Sequence, residues 1–396
     1  MQQSLSFTNT PAPISVVDGT ISSALAAPTI ELDCRQRPVE PGRVNAHTHI
    51  YSGLAPLGMP APSRPPSNFL QILERIWWRL DRALDPPSLR AAARLYVAEA
   101  LLHGTTTLVD HHESPNMIDG SLDIIADACE ELGMRAVLCF GATERNGGTA
   151  EANAGLDECA RFINTRHSSL LRGMVALHAS FTCSDQTLVR AGDLCRELHV
   201  PLHIHLAEDL ADLKDAQRRG YQGPLERLIA LDALPRRSIL AHGVHLAAAQ
   251  VERCRGSLAI LVQNPRSNEG NRVGYPKFFG GQSHVALGTD GYPADMLSEE
   301  AALERLAMEH GDADWQHRPL GGYQLVDQRF SRVFGRLAPG SAGDLCVRDQ
   351  DGKPIHVCVD GQLVVRDGQL VRADIEEIRA DAMAQAKPLF ARMAAL

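Results

Sequence analysis

Eight short apolar runs, most of them separated by a helical pattern, constrain this chain more than any other feature. They occupy residues 43–47, 105–111, 135–141, 172–179, 201–207, 238–244, 258–264 and 284–290. Helical periodicity fills intervening segments such as 122–132, 186–198 and 299–310. Near-continuous apolar strands joined by helices belong to parallel sheets, because the crossover helices cover both faces. Eight units are the number that closes a (β/α)8 TIM barrel, so the expected class is α/β. An open doubly wound sheet is the alternative, but no G-x-G-x-x-G follows the first strand.

The two ends read differently. Residues 14–17 and 29–32 are β-type runs broken by Asp18-Gly19 and prolines. Residues 344–347, 355–360 and 362–365 also read as strands, with Asp360-Gly361 as a hairpin turn. Neither end has enough residues to close a core alone. The expected organisation is a small β-sandwich built from residues 1–43 plus 330–396, around a barrel of residues 44–329. A last helix belongs to the former, with Asp374 as N-cap and Glu377 three residues on. Pro388 should kink or end it.

Composition narrows the function classes. Hydrophobic residues are 44% and charged residues 22% of 396, which is globular. Lys and Arg number 39 against 48 Asp and Glu, a net charge of -9 without a basic block. This disfavours nucleic acid and anionic membranes as partners. The nine cysteines are scattered and never spaced C-x-x-C, which fits a reducing compartment and excludes a Cys-ligated zinc site. The first basic residue is Arg35, and no apolar run approaches the ~18 residues of a membrane span. A soluble cytoplasmic protein is expected.

The functional end of a TIM barrel is the C-terminal end of its strands. Strand one ends in His47-Thr48-His49, two imidazoles at i and i+2 on one face. Strand five ends in His203-Ile204-His205 followed by Leu206-Ala207-Glu208, strand six in Ala241-His242-Gly243, and strand eight in Gly288-Thr289-Asp290-Gly291. One H-x-H is weak evidence; four strand ends that each carry a metal-competent group, gathered by one barrel, are strong. Neutral imidazoles with a carboxylate suit a divalent transition metal, zinc or iron. By spacing alone, His203 and His205 are equal candidates for a ligand.

Four stretches, V-N-A-H-T-H, H-x-H-L-A-E, A-H-G-V-H-L and L-G-T-D-G, resemble the marks of the amidohydrolase superfamily, in particular its cytosine/guanine-deaminase-like aminohydrolases. Residues 69–85 (FLQILERIWWRLDRALD), Asp110-His111-His112 and residues 143–148 are similar to the SsnA type. The resemblance covers nearly the whole chain from about Ile14. It implies a (β/α)8 barrel with a β-sandwich from both termini. It implies His47, His49, His205 and Asp290 as ligands of one divalent ion, zinc before iron. Glu208 is then the proton-transferring acid, and His242 hydrogen-bonds the attacking water or the substrate. Binuclear relatives bridge two metals with a carbamylated lysine at the end of strand four. The four lysines here, Lys214, Lys277, Lys353 and Lys387, lie elsewhere, and His178 stands at that strand end. A single ion is therefore expected.

The implied reaction is deamination of an amino-substituted purine, pteridine, pyrimidine or triazine by hydroxide generated at the metal, with release of ammonia. Opening of a cyclic amide or amidine ring, or displacement of another leaving group, at the same site is the runner-up, and a non-catalytic metal-binding homologue is a third reading. Substrate-binding candidates are His178 and His112 at strand ends, Gln71 and Trp77 on the insertion after strand one, and Arg266 after strand seven. Ile72, Ile76, Trp77 and Leu80 follow helical spacing, which favours plain packing for Trp77. Gln263 stands where many relatives carry a histidine. By resemblance, the chain forms an even-numbered homo-oligomer.

Overall fold

A computed structural model describes residues 4–23 and 30–396. Residues 1–3 and 24–29, which include the first position of the strand expected at 29–32, lie outside the described residues. The eight apolar runs form a closed parallel barrel. Its strands are Arg43–Thr48, Thr105–Asp110, Arg135–Leu138 continued by Gly141–Ala142, and Leu171–Gly173 continued by Val175–Ala179. Leu202–Leu206, Ile239–His242, Ile260–Gln263 and Val285–Leu287 complete it. Because strands three and four are each split, the ring registers as a four-stranded and a six-stranded ladder. A bridge from Thr48 to Asp290 joins the last strand to the first.

Burial explains the apolar runs: every residue of strands two, five, six, seven and eight is buried. Helices such as Ser121–Leu132, Asp185–Leu198 and Met296–His310 cover the outside. Between strand one and the helix Pro86–Leu102 lies a cap. It comprises a 3-10 helix (Ile50–Leu57) and a helical stretch Phe69–Ala83 interrupted by a π-helical segment, Leu73–Trp77. No described helix is long and apolar enough to cross a membrane.

Strands from both ends of the chain share one sheet, since Val39–Pro41 pairs antiparallel with Leu345–Arg348. A four-stranded sheet from the N-terminal segment lies against it, and one core contains Leu5, Phe7, Val16, Leu32, Leu345, Val347 and Cys358. We propose on this basis the division into residues 1–43 plus 330–396 and residues 44–329. Arg135, fully buried at the start of strand three, joins the two: it meets Asp344 and Asp360, each at 3.1 Å. The last helix, Ile375–Ala395, continues through Pro388 rather than ending there. Asp374 caps it by accepting a hydrogen bond from the Glu376 N–H at 2.8 Å.

Candidate active site and metal centre

The barrel brings His47, His49, His205 and Asp290 together, so that one ligand atom from each lies within 4.8 Å of all the others. His49 Nε2 is 2.8 Å from Asp290 Oδ1 and 3.2 Å from His205 Nε2. His47 Nε2 is 3.3 Å from Asp290 Oδ1, and it is buried without a hydrogen-bond partner. The outward nitrogens of two rings face main-chain carbonyls: His49 Nδ1 donates to His111 at 2.5 Å and His205 Nδ1 to His178 at 2.6 Å. Such outer bonds fix the tautomer and aim the Nε2 lone pair inward. His203 stands behind, with Nε2 2.9 Å from His47 Nδ1. Spacing left the choice between His203 and His205 open; the geometry puts His205 in the cluster.

Electrostatics suit a cation here. Burial pushes His47 down to about 3 and holds His205 well below its ordinary value, which keeps both imidazoles in the neutral, ligating form. Burial also opposes charge on His49, but Glu113 and Asp290 outweigh it and lift this group well above the usual histidine range, so these carboxylates favour a positive charge at this point, and an ion held at Nε2 would replace the proton there. Burial likewise opposes ionisation of Asp290, and the His47 and His49 rings beside it overcome this, holding the carboxyl well below its usual value. Three imidazoles, a carboxylate and an orphaned nitrogen aimed at one point fit a divalent transition metal.

The backbone around the cluster is locked. Thr289 and Asp290 both donate N–H to the His47 carbonyl at 3.0 Å. Asn45 grips Thr289 twice, through Nδ2 at 2.7 Å and Oδ1 at 3.0 Å, and Tyr96 adds a contact at 2.9 Å. Ala207, His242 and Asp290 adopt left-handed backbone, with φ of 50°, 71° and 53°. That conformation costs about 1–2 kcal/mol per non-glycine residue and persists where surrounding bonds over-determine it. All three positions sit at strand ends facing the barrel mouth.

Glu208, His242 and Asp290 form a second group within the same limit. His242 Nε2 is 3.6 Å from Glu208 Oε2 and 4.0 Å from Asp290 Oδ2. Its Nδ1 is 2.8 Å from Asn268 Oδ1, which orients the ring. Asn271 Nδ2 donates to Glu208 Oε1 at 3.5 Å, and Ser267 donates to Asp290 Oδ2. Burial pushes the Glu208 carboxyl well up, and the Asp290 charge adds to this. A carboxyl that keeps its proton beside one that does not is an acid–base pair.

These groups open onto a cavity of about 40 Å³ lined by His49, His205, Glu208 and Asp290, with His178 on one flank and Trp77 on the cap side. Trp77 lies so close to Gly291 that a Cβ there would meet its ring at 3.0 Å. A cavity of about 150 Å³ is what holds a benzene ring, so a heterocycle enters only when cap side chains swing aside. Three expected substrate contacts need correction, because none of them lines this cavity and each has a polar atom bonded elsewhere. Gln71 accepts from the Ser67 N–H and hydroxyl, both at 3.0 Å, on the outer side of the cap. His112 is buried and donates Nε2–H to Ser114 at 2.8 Å. Arg266 is tied to Glu299 and to the Pro293 carbonyl at 2.7 Å, over the Tyr292 ring. Gln263 is buried away from this cavity, accepting from Arg318 at 2.6 Å. Sequence reasoning missed Glu113, Asp81, Tyr51, Trp78 and Phe181, which also line the cavity. For Glu113 a signal existed, its i+2 spacing from His111 just past strand two.

The chain resembles known proteins in sequence and in fold. The chain is 29% identical over 360 residues to a 5-methylthioadenosine/S-adenosylhomocysteine deaminase of Nitratidesulfovibrio vulgaris, covering 85% of this chain and 79% of that protein. It is 28% identical over 344 residues to an 8-oxoguanine deaminase of Pseudomonas aeruginosa, covering 80% and 75%. A crystal structure of an adenosine deaminase from Xanthomonas campestris with bound zinc superposes with a TM-score of 0.83 over 98% of both chains, at 20% identity, a likeness of fold. The sequence pattern of the amidohydrolase family matches residues 39–325, well over half of the length, and the chain belongs to that family.

Proposed function

We propose that this protein is a mononuclear metal-dependent aminohydrolase that deaminates an amino-substituted nitrogen heterocycle, a small-molecule substrate. The observation that carries the reading is the convergence of His47, His49, His205 and Asp290 with Glu208 and His242 around one buried cavity. The relatives named above are deaminases of purine-type compounds, which supports the same reaction type. The first four residues would hold one divalent ion, zinc before iron. Such an ion supplies a nucleophile by lowering the pKa of bound water to roughly 7.

The chain's own residues do the rest. Asp290 Oδ1 lies among the imidazoles and accepts a proton from the attacking water, while Ser267 steadies Oδ2. Glu208 carries a proton to the ring nitrogen beside the carbon that bears the amino group, because an amidine-like carbon is a weak electrophile until that nitrogen takes charge. His242, whose Nδ1–H donates to Asn268, presents the Nε2 lone pair to the same point and accepts a hydrogen bond from the attacking water there. The proton that Asp290 takes from the water then passes to the amino group, which leaves as ammonia, while the proton of the new hydroxyl returns to Glu208 as the carbonyl forms; His242 lies 3.6 Å from Glu208 and 4.0 Å from Asp290, between the two. Trp77 and His178 flank the ring as substrate contacts. The proposal includes a cytoplasmic location, in keeping with nine buried free cysteines, and an even-numbered homo-oligomer.

The test is ammonia release by the metal-loaded protein from amino-substituted purines, pteridines, pyrimidines and triazines, with product mass and metal content measured in parallel. The expected result is ammonia with about one ion per chain. A product heavier by a whole water, or no ammonia from any compound, overturns the proposal.

A further inference from the structure

The step above uses two carboxyls of the cavity, Glu208 and Asp290. Two more line it: Asp81 from the cap helix Trp78–Ala83, and Glu113 just past strand two. Both are sealed, at 1% and 2% exposure. Each has one oxygen engaged. Asp81 Oδ2 meets Arg145 at 2.8 Å, and Glu113 Oε1 meets His111 Nδ1 at 2.7 Å. The other oxygens, Asp81 Oδ1 and Glu113 Oε2, are buried without a hydrogen-bond partner. Glu113 Oε2 is 3.2 Å from His49 Nδ1, but the hydrogen of that nitrogen is directed at the His111 carbonyl, at 2.5 Å.

A buried acceptor without a donor is costly, and native proteins keep few of them. Two in one cavity are explained when a ligand supplies the donors. Their position says which edge of the ligand does so. Glu113 groups with His178 and His205, and Asp81 comes from the cap helix, whereas Glu208 groups with His242 and Asp290, so neither Glu113 nor Asp81 belongs to the Glu208 cluster. Charge gives a second, independent constraint. Among the described residues, four carboxyls and neither lysine nor arginine line the cavity. The one nearby cation, Arg145, is consumed by Asp81 and by the Trp78 ring at 4.9 Å.

We infer that Glu113 and Asp81 determine substrate specificity: they select a heterocycle whose edge away from Glu208 carries ring N–H donors, and the cavity excludes anionic substrates. This rests on the deaminase reading and names the substrate class within it. A base with a free ring N–H qualifies. One whose ring nitrogen is alkylated on that edge leaves the acceptors unpaired, and one that bears phosphate finds no lysine or arginine on the cavity wall to pair with it. Sites built to hydrogen-bond an N–H reject analogues lacking it by about 10⁴–10⁵ at best.

The experiment measures kcat/KM of the metal-loaded protein for three matched pairs: 8-oxoguanine and 9-methyl-8-oxoguanine, adenine and 9-methyladenine, cytosine and 1-methylcytosine. AMP, GMP and CMP are assayed beside them. Every parent base that releases ammonia should lose at least about 100-fold on methylation, and the nucleotides should give none. In Glu113→Gln the parent should weaken while the methylated partner does not, so that the ratio within the pair collapses; a purely steric effect of the methyl group leaves that ratio unchanged. If the Glu113→Gln variant fails to retain metal, Asp81→Asn carries the same comparison. A methylated partner within about threefold of its parent, a nucleotide turned over, or an unchanged ratio in the variants overturns the inference but leaves the deaminase reading standing. No ammonia from any parent base, pteridine or triazine overturns that reading and the inference with it.

Discussion

Gly288→Ala tests how the two halves of the metal centre are joined. Gly288 precedes Thr289 and Asp290, and a Cβ placed on it would lie 2.6 Å from Asn264 Oδ1, 2.7 Å from the His47 carbonyl and 2.8 Å from the His47 nitrogen. Ordinary contact begins at 3.4 Å, so the joint has to open by roughly 0.6–0.7 Å against the His47 backbone. Asn264 can turn its amide, but His47 cannot yield, because its carbonyl already accepts two N–H bonds from Thr289 and Asp290. The strain therefore moves His47 and Asp290 apart. Overpacking of this kind typically costs about 1–3 kcal/mol, and metal–ligand distances tolerate only about 0.2 Å. The variant should melt several degrees lower in metal-free form. It should also lose most of its metal on dialysis against a chelator that leaves the parent loaded, and gain less melting temperature from added zinc. A variant with the parent's metal content and the parent's zinc-induced shift would refute the idea that these backbones are held in register by the missing side chain.

Glu208→Gln should retain metal and fold yet lose about 10²–10⁴ in kcat, read from steady-state ammonia release; normal turnover would remove Glu208 from proton transfer. Burial pushes Asp212 up to about 7, with the Asp215 charge adding to it. The folded state then holds a proton that the unfolded chain releases near 3.8, so stability falls as pH rises from about 4 to 7. Asp212→Asn should flatten this decline, by up to a few kcal/mol in urea unfolding compared at pH 5 and pH 8; an unchanged slope would contradict the assignment. Arg135→Met should cost about 3–5 kcal/mol, because it leaves the buried Asp344 without its cation, whereas the half-buried Asp360 keeps Arg332; a thermal melt within a degree of the parent would show that the clamp is dispensable.

Which parts of the site were legible depended on how each side chain is aimed. His47 and His49 were readable because strand geometry alone puts i and i+2 on one face. Gln71, His112 and Arg266 were not, because a position near a strand end does not say which way a loop or cap side chain turns; all three found nearer partners. Trp77 looked like helix packing. The π-helical segment Leu73–Trp77 interrupts the helical phase there, and Trp77 and Trp78 both reach the cavity, which a 3.6-residue period does not anticipate. Pro388, expected to kink or end the last helix, sits inside it.

Order and chemistry along the chain were enough to establish the closed parallel barrel and the metal-competent character of its mouth, since both follow from local periodicity and the strand ends at which histidines and acids fall. Convergence was decided only in three dimensions. Spacing left His205 and His203 equal and only the family resemblance pointed to His205; its place in the cluster, and the meeting of Glu113 and Asp81 in one cavity, depend on contacts between residues far apart in sequence. So does the left-handed backbone that aims His242 and Asp290. The physical reason is that periodicity specifies the face of an element, whereas a site a few ångströms wide is specified by how eight such elements close on one another.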